Sequence, residues 1–281
     1  MSEPVLNELI RIRVQSQRAN GYQARQEIER IVAPLRGDPR RLEPYGFKVY
    51  SQNDEDGIIE EIFRRIGVTV GTFVEIGVES GLECNSLYLL HRGWRGTWIE
   101  GDHGRRTAIE EKFAPILGRR LHVGFTWITA ETVNNCFKGL RVPTDLDFLS
   151  IDIDGNDIYV LEALELRPKV ICIEYNAKFP PHLAKRPVYD PARTWSGGDY
   201  MGSSLRALTE AADTKGYQLV ATNITGANAF FVRRDLAGDL FPTDPSPASL
   251  YNPPRYWLWS DHFLHVGHRA DFGPYVDMLA D

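Results

Sequence analysis

From residue 72 onward the chain alternates short β-rich runs with helical ones, and this alternation limits the architectures open to it more than any other feature. The β-rich runs are Thr72 to Ile76, Gly96 to Glu100, Leu121 to Ile128, Leu146 to Ile153 and Lys169 to Glu174. Five such runs with helices between them predict βαβ units and a mainly parallel sheet. Two more, Tyr217 to Thr222 and Ala229 to Arg233, are separated only by the turn-rich stretch Asn223-Ile224-Thr225-Gly226-Ala227-Asn228, which predicts a hairpin. The expected fold is therefore α/β, a doubly wound and mainly parallel seven-stranded sheet ending in an antiparallel hairpin. An all-parallel dinucleotide-binding sheet would not end this way.

Upstream, residues 5 to 33 carry apolar residues at helical spacing among Arg, Gln and Glu, and predict one or two amphipathic helices that cover the sheet or build a subunit interface. Tyr50-Ser51-Gln52-Asn53-Asp54 offers caps for a second helix from about Glu55 to Ile66. The organisation expected is a helical extension over 1–45, a ligand-binding domain over 46–240 and an aromatic-rich extension over 241–281. In that extension Tyr251 to Trp259 reads as packing. The Pro- and Gly-rich segment from Lys178 to Gly202 is long for a connection, and predicts a functional loop over the ligand side of the sheet.

A net charge of −6 argues against nucleic acid as a partner. Neither a signal pattern nor an apolar run of membrane-spanning length is visible, and Cys84, Cys136 and Cys172 lack metal-site spacing. A cytoplasmic protein with no membrane partner is expected.

Ligands of open α/β sheets sit beyond the carboxyl ends of the strands. The first strand ends in Glu75-Ile76-Gly77-Val78-Glu79-Ser80-Gly81. Gly77 and Gly81 would let the backbone approach a ligand, but no G-x-G-x-x-G phosphate fingerprint is present. Glu75 and Glu79 suit a sulfonium cation and an amino group better than a pyrophosphate. About twenty residues further on, Glu100 stands where a ribose-binding carboxylate is expected, with Asp102 as the reserve or as a helix cap. Ile128 or Thr129 could approach an adenine, Thr129 being as well suited to cap the helix after it.

The fourth run ends in Asp152-Ile153-Asp154-Gly155-Asn156-Asp157 and the fifth in Glu174-Tyr175-Asn176. A strand period of two puts Asp152 and Asp154 on one side, and Glu174 and Asn176 on one side of the next strand. This is a set of hard oxygen ligands suited to Mg²⁺ or Ca²⁺. The bland alternative is that Asn156 or Asp157 caps the following helix and Glu174 pairs with a cation. Asp154, Asp157 and His182 are candidate bases; Tyr200 and Ser203 are candidate substrate contacts, with Ser204 a helix cap.

The ordered segments YSQNDEDGIIEEIF, FVEIGVESG, WIEGD, LSIDIDGNDIYVLEAL, ICIEYNA and YQLVATNITGANAFFVRR, spanning about Tyr50 to Arg234, resemble class I S-adenosylmethionine-dependent methyltransferases, in particular the FkbM-like group and related metal-dependent sugar O-methyltransferases. The resemblance implies S-adenosylmethionine as cofactor, held by Glu75, Gly77, Glu79, Ser80, Gly81, Glu100, Asp102 and Asp152. It implies Mg²⁺ at Asp154 and Glu174, with Asn176 a further candidate ligand, and a sugar or other small polar metabolite as acceptor. Where such enzymes carry a His base a few residues after the metal-binding Asp, this chain has Asp157. Two other functions remain open to the sequence: a non-catalytic S-adenosylmethionine- or nucleotide-binding interaction protein, indifferent to Asp154→Ala, and a NAD-dependent oxidoreductase. A homo-oligomer is compatible with both extensions.

Overall fold

A computed structural model of the protein describes residues 2–259. Seven strands form one sheet: β1 (Thr72–Ile76), β2 (Arg95–Glu100), β3 (Leu121–Phe125), β4 (Phe148–Ile151), β5 (Val170–Glu174), β6 (Tyr217–Thr222) and β7 (Asn228–Arg233). Their order is β3-β2-β1-β4-β5-β7-β6. The first five pair in parallel, while β7 runs antiparallel to both β5 and β6. The expected fold class is thus observed, a doubly wound, mainly parallel seven-stranded sheet ending in an antiparallel hairpin, whose strand order reverses between β1 and β4.

Each central strand is apolar on both faces, and alternation decides which layer each residue joins. Val74, Ile76, Leu149, Ile151, Ile171 and Ile173 enter a core with α5 (Val133–Gly139), α6 (Asp157–Ala163) and α7 (Leu205–Thr214). Phe73, Trp98, Phe148, Val170 and Cys172 face the other way, onto α2 (Glu55–Arg65), α3 (Leu87–His91) and α4 (Arg106–Phe113). The chain outside 46–240 feeds the same two cores, through Leu42 and Phe241 on one face and Leu250 on the other.

The N-terminal region is one helix, α1 (Glu3–Val32). It does not cover the sheet. Only Gly21, Ala24 and Val32 are buried, and the helix docks by its last turns, where Ala24 and Val32 meet Ile224 and Leu258. Both sheet faces are already filled by α2 to α7, so the stripe Val5, Leu6, Leu9 and Ile10 stays about half exposed. Helix α5 also starts later than expected. The Thr129 carbonyl accepts from the amides of Thr132 and Val133, and this turn delays the helix to Val133.

Tyr251 to Trp259 packs as expected in part: the Tyr251 hydroxyl donates to the Ala177 carbonyl and Leu258 is buried. The rest of the 241–281 extension, from 260 on, lies outside the described residues. No described helix is long and apolar enough to cross a membrane.

Candidate active site

At the switch point the strand ends open into a cleft of about 800 Å³, within the ~300–1,000 Å³ usual for small-molecule sites. Its floor is the turn after β1. Gly77 has φ +84°, and a Cβ there would lie 1.8 Å from the Asp152 carbonyl oxygen, so only glycine lets the β1 and β4 turns meet. Gly81, at φ +72°, presses against the Trp98 ring, which a Cβ would approach to 2.5 Å. Glu75 borders the cleft, but its carboxylate is engaged by the amides of Asn85 and Ser86 at 2.8 and 2.9 Å and by the Ser86 hydroxyl. It thereby ties the α3 start to β1. Burial raises its pKa, and these donors oppose the rise. Ser80 and Glu79 stand at the rim, Glu79 with φ +49° and its carboxylate 4.0 Å from Arg105.

Glu100 closes the turn from β2. It accepts the Glu79 and Asp102 amides, both at 2.7 Å, one on each oxygen. A carboxylate offers about four lone-pair sites, so about half of its capacity remains for a ligand. Asp102 caps the short turn after β2, accepting from the Gly104 amide at 2.8 Å, while also bordering the cleft. Trp127 and Ile128 form the wall on the β3 side. Thr129 accordingly sits in the turn before α5 without being the residue that caps it.

The opposite end is acidic. Asp152, Asp154 and Glu174 each place a carboxylate oxygen so that all three lie within 4.8 Å of one another. The route differs from the expected one. β4 ends at Ile151, and Asp154 reaches Asp152 through a turn with φ +56° at Asp154 and +131° at Gly155, not through strand alternation. Glu174 Oε2 is buried with no hydrogen-bond partner. Burial first, and then the neighbouring carboxylates, hold the pKa values of Asp152 and Glu174 well above the ordinary range. Partial burial and Glu79 raise that of Asp154.

Asp157 lies beneath this turn and does not border the cleft. Its two oxygens accept the Ile153 and Gly155 amides at 3.0 and 2.8 Å, so it shapes the loop that carries Asp154. Burial pushes its pKa to about 6 against those bonds. Asn176 is not brought into the carboxylate cluster. Its Nδ2 donates to the Asp199 carbonyl and its Oδ1 accepts from the Lys178 amide, because it anchors the long loop to β5. Asp152 occupies the third position instead.

The segment 178–202 does overhang the cleft. The Trp127 indole donates to the Pro191 carbonyl and Asn156 Nδ2 to the Asp190 carbonyl, both at 2.7 Å, and the Tyr159 hydroxyl fixes the Pro187 carbonyl. This path brings Arg193, Thr194, Trp195 and Met201 to the cleft, but not His182, Tyr200 or Ser203. His182 is exposed, with its carbonyl held by Arg206. Tyr200 lies beneath the Arg193 guanidinium, 4.1 Å from its ring centroid, and accepts the Val188 amide. Ser203 is buried behind the wall, where its carbonyl accepts from the Asn176 amide. Ser204 caps α7 as expected, accepting from the Ala207 amide at 3.3 Å.

Arg193, Trp195, Tyr256, Gln52, Asn53 and Asn228 border the cleft although no role was assigned to them from the sequence. Gln52 and Asn53 fall in the segment Tyr50 to Asp54 that stood out only as capping residues. The others depend on how distant loops fold back.

No family model matches the sequence, and no curated protein does. Among solved structures, the protein is similar to the N-terminal domain of EvdMO1, determined in the presence of SAH and D-fucose, at 16% identity and a TM-score of 0.44 over 75% of this chain and 96% of that one. It is also similar to the O-methyltransferase from Bacillus cereus in complex with SAH, at 17% identity and a TM-score of 0.41, covering 74% of this chain and 89% of that one.

Proposed function

We propose that the protein is an S-adenosylmethionine-dependent O-methyltransferase acting on a hydroxyl of a small polar acceptor, a sugar or related metabolite, with a divalent cation assisting. The observation that carries this reading is the polarity of the cleft at the strand ends. A glycine turn and a half-satisfied Glu100 carboxylate stand at one end, and three clustered carboxylates at the other.

The residues fit both groups. Glu100 has acceptor capacity left for the ribose hydroxyls, Ile128 and Trp127 on the adjoining wall would flank an adenine, and Glu79 and Asp152 would favour the cationic sulfonium end. Asp152, Asp154 and Glu174 supply hard oxygen donors, and the orphaned Glu174 Oε2 is what a bound cation would satisfy. When bound, S-adenosylmethionine would supply a methyl group on an excellent leaving group, and a divalent cation held by Asp152, Asp154 and Glu174 would supply charge stabilisation for the acceptor oxygen. The protein's own contribution is alignment and proton removal. Of Asp154, Asp157 and His182 only Asp154 borders the cleft, so it is the one of the three positioned to receive the acceptor's proton. Asp157 holds the turn beneath it. The overhanging loop, with Trp195 and Met201, excludes water from the reacting hydroxyl.

The test is transfer of tritiated methyl from S-adenosylmethionine into the small-molecule fraction of a cell extract, with Mg²⁺ or with EDTA. Label that depends on the protein, falls in EDTA and is lost in Asp154→Ala is expected. Wild-type protein that leaves the acceptor pool unlabelled at saturating S-adenosylmethionine would overturn the reading.

A further inference from the structure

The cleft border contains two arginines in different states. Arg105 is already matched, with Asp102 at 3.5 Å and Glu79 at 4.0 Å. Arg193 is not. Its Nε and Nη1 are buried and make no hydrogen bond, its Nη2 donates to the Val188 carbonyl at 3.3 Å, its other neighbour is the neutral Tyr200 side chain, and among the described residues no carboxylate pairs with it. Two buried guanidinium donors without a partner are costly, even in a side chain that is only partly buried as a whole, and Arg is the side chain best shaped for two-point capture of a carboxylate or phosphate.

The structure holds this group in place. The Tyr200 ring backs it at 4.1 Å, and it packs beside Gly155, where a Cβ would stand 3.1 Å from Arg193 Cδ. Gly155 follows Asp154 directly, so the free donors lie at the acidic end of the cleft, away from Glu100. The loop that carries Arg193 is fixed two and three residues earlier, at Pro191 and Asp190, by Trp127 and Asn156.

We propose that Arg193 is the anion anchor of the acceptor subsite, so that the acceptor carries an oxyanion, a carboxylate or a phosphate ester, beside the hydroxyl that is methylated. The assignment rests on the methyltransferase reading and narrows its acceptor class. A neutral sugar would leave the guanidinium unmatched, whereas an acidic one pairs with it while its hydroxyl faces Asp154. The anchor thus selects against neutral analogues by leaving its own donors bare when they bind.

The test is a tryptophan-fluorescence titration with inorganic phosphate and with acetate at constant ionic strength in EDTA, run on the free protein and on the SAH-saturated protein. Trp127 and Trp195 on the cleft provide the signal. Saturable quenching by phosphate or acetate, silent with chloride and weakened at least tenfold in Arg193→Gln, is expected. Stronger response to acetate assigns a carboxylate acceptor, and stronger response to phosphate a phosphate ester. Arg193→Lys should retain part of the response, and the SAH affinity of Arg193→Gln should match wild type. No saturable response, a response unchanged in Arg193→Gln, or a tenfold loss of SAH affinity in that variant would each overturn the proposal. Failure of the wild-type protein to bind SAH would instead defeat the methyltransferase reading, while the anion titration of the free protein still decides the role of Arg193.

Discussion

Replacing Glu174 by Gln should stabilise the protein in EDTA and destabilise it, relative to wild type, in Mg²⁺. The three carboxylates of Asp152, Asp154 and Glu174 lie within 4.8 Å of one another. At an effective dielectric of about 20, each ionised pair at that separation repels by about 3 kcal/mol. Proton uptake caps the penalty: keeping a carboxyl of ordinary pKa 4.5 neutral at pH 7 costs about 3 kcal/mol. The amide of Gln carries neither cost, has nearly the same volume and can donate to the remaining carboxylates, so a gain of about 1–3 kcal/mol is expected in EDTA. In a chain of this size each kcal/mol moves the melting temperature by about 2–4 °C. Mg²⁺ reverses the order, because wild type gains stability by binding the cation and the variant has lost one of three carboxylate ligands. The pH dependence has a definite sign. A folded pKa raised above 4.5 means that the native state holds the proton longer than the unfolded chain, so wild-type stability in EDTA falls as pH climbs from 4.5 through the raised value. The variant should lose Glu174's share of that slope and keep the part due to Asp152 and Asp154. Thermal melts of both proteins with EDTA and with Mg²⁺ across this range provide the assay. A variant less stable than wild type in EDTA would refute the reasoning, since it would make Glu174 a structural partner instead of an unmatched ligand.

Gly77→Ala should cost more than about 3 kcal/mol or prevent folding, because the new Cβ would meet the Asp152 carbonyl at 1.8 Å and occupy φ +84°; a wild-type melting temperature would contradict this. Glu55→Ala should lose about 3–5 kcal/mol in urea unfolding, since its carboxylate serves the Asn53 amide and the side-chain amides of Asn53, Asn223 and Asn228 in a buried site. A loss under 1 kcal/mol would mean that these donors find other partners. Glu100→Ala should weaken SAH binding at least tenfold in equilibrium dialysis, because two charge-assisted bonds that order the turn disappear with the ribose contact. Unchanged affinity would place the ribose elsewhere.

The sheet was legible because its strands are two-sided and apolar, and because a glycine turn follows the first of them. The two ends of the cleft were legible for the same reason: Glu100, Asp152, Asp154 and Glu174 terminate strands or follow them closely, and parallel pairing brings strand ends together whatever the loops do. Residues on the long loop were not legible. Whether His182, Tyr200 or Arg193 faces the cleft depends on carbonyls fixed by Trp127, Asn156 and Tyr159, three residues remote in sequence. Asn176 read as a ligand by strand period, but its amide is committed to the loop it anchors. The N-terminal helix had the right period for a buried face, and periodicity does not reveal that both sheet faces are already occupied.

The most direct measurement of the central claim is calorimetric titration of the purified protein with S-adenosylmethionine, SAH and NAD, with and without Mg²⁺. The account predicts saturable binding of both sulfur ligands and none of NAD, since carboxylates at Glu75, Glu79 and Asp152 surround the glycine turn where a pyrophosphate would sit. Binding of NAD without either sulfur ligand, or of none of the three, would contradict it.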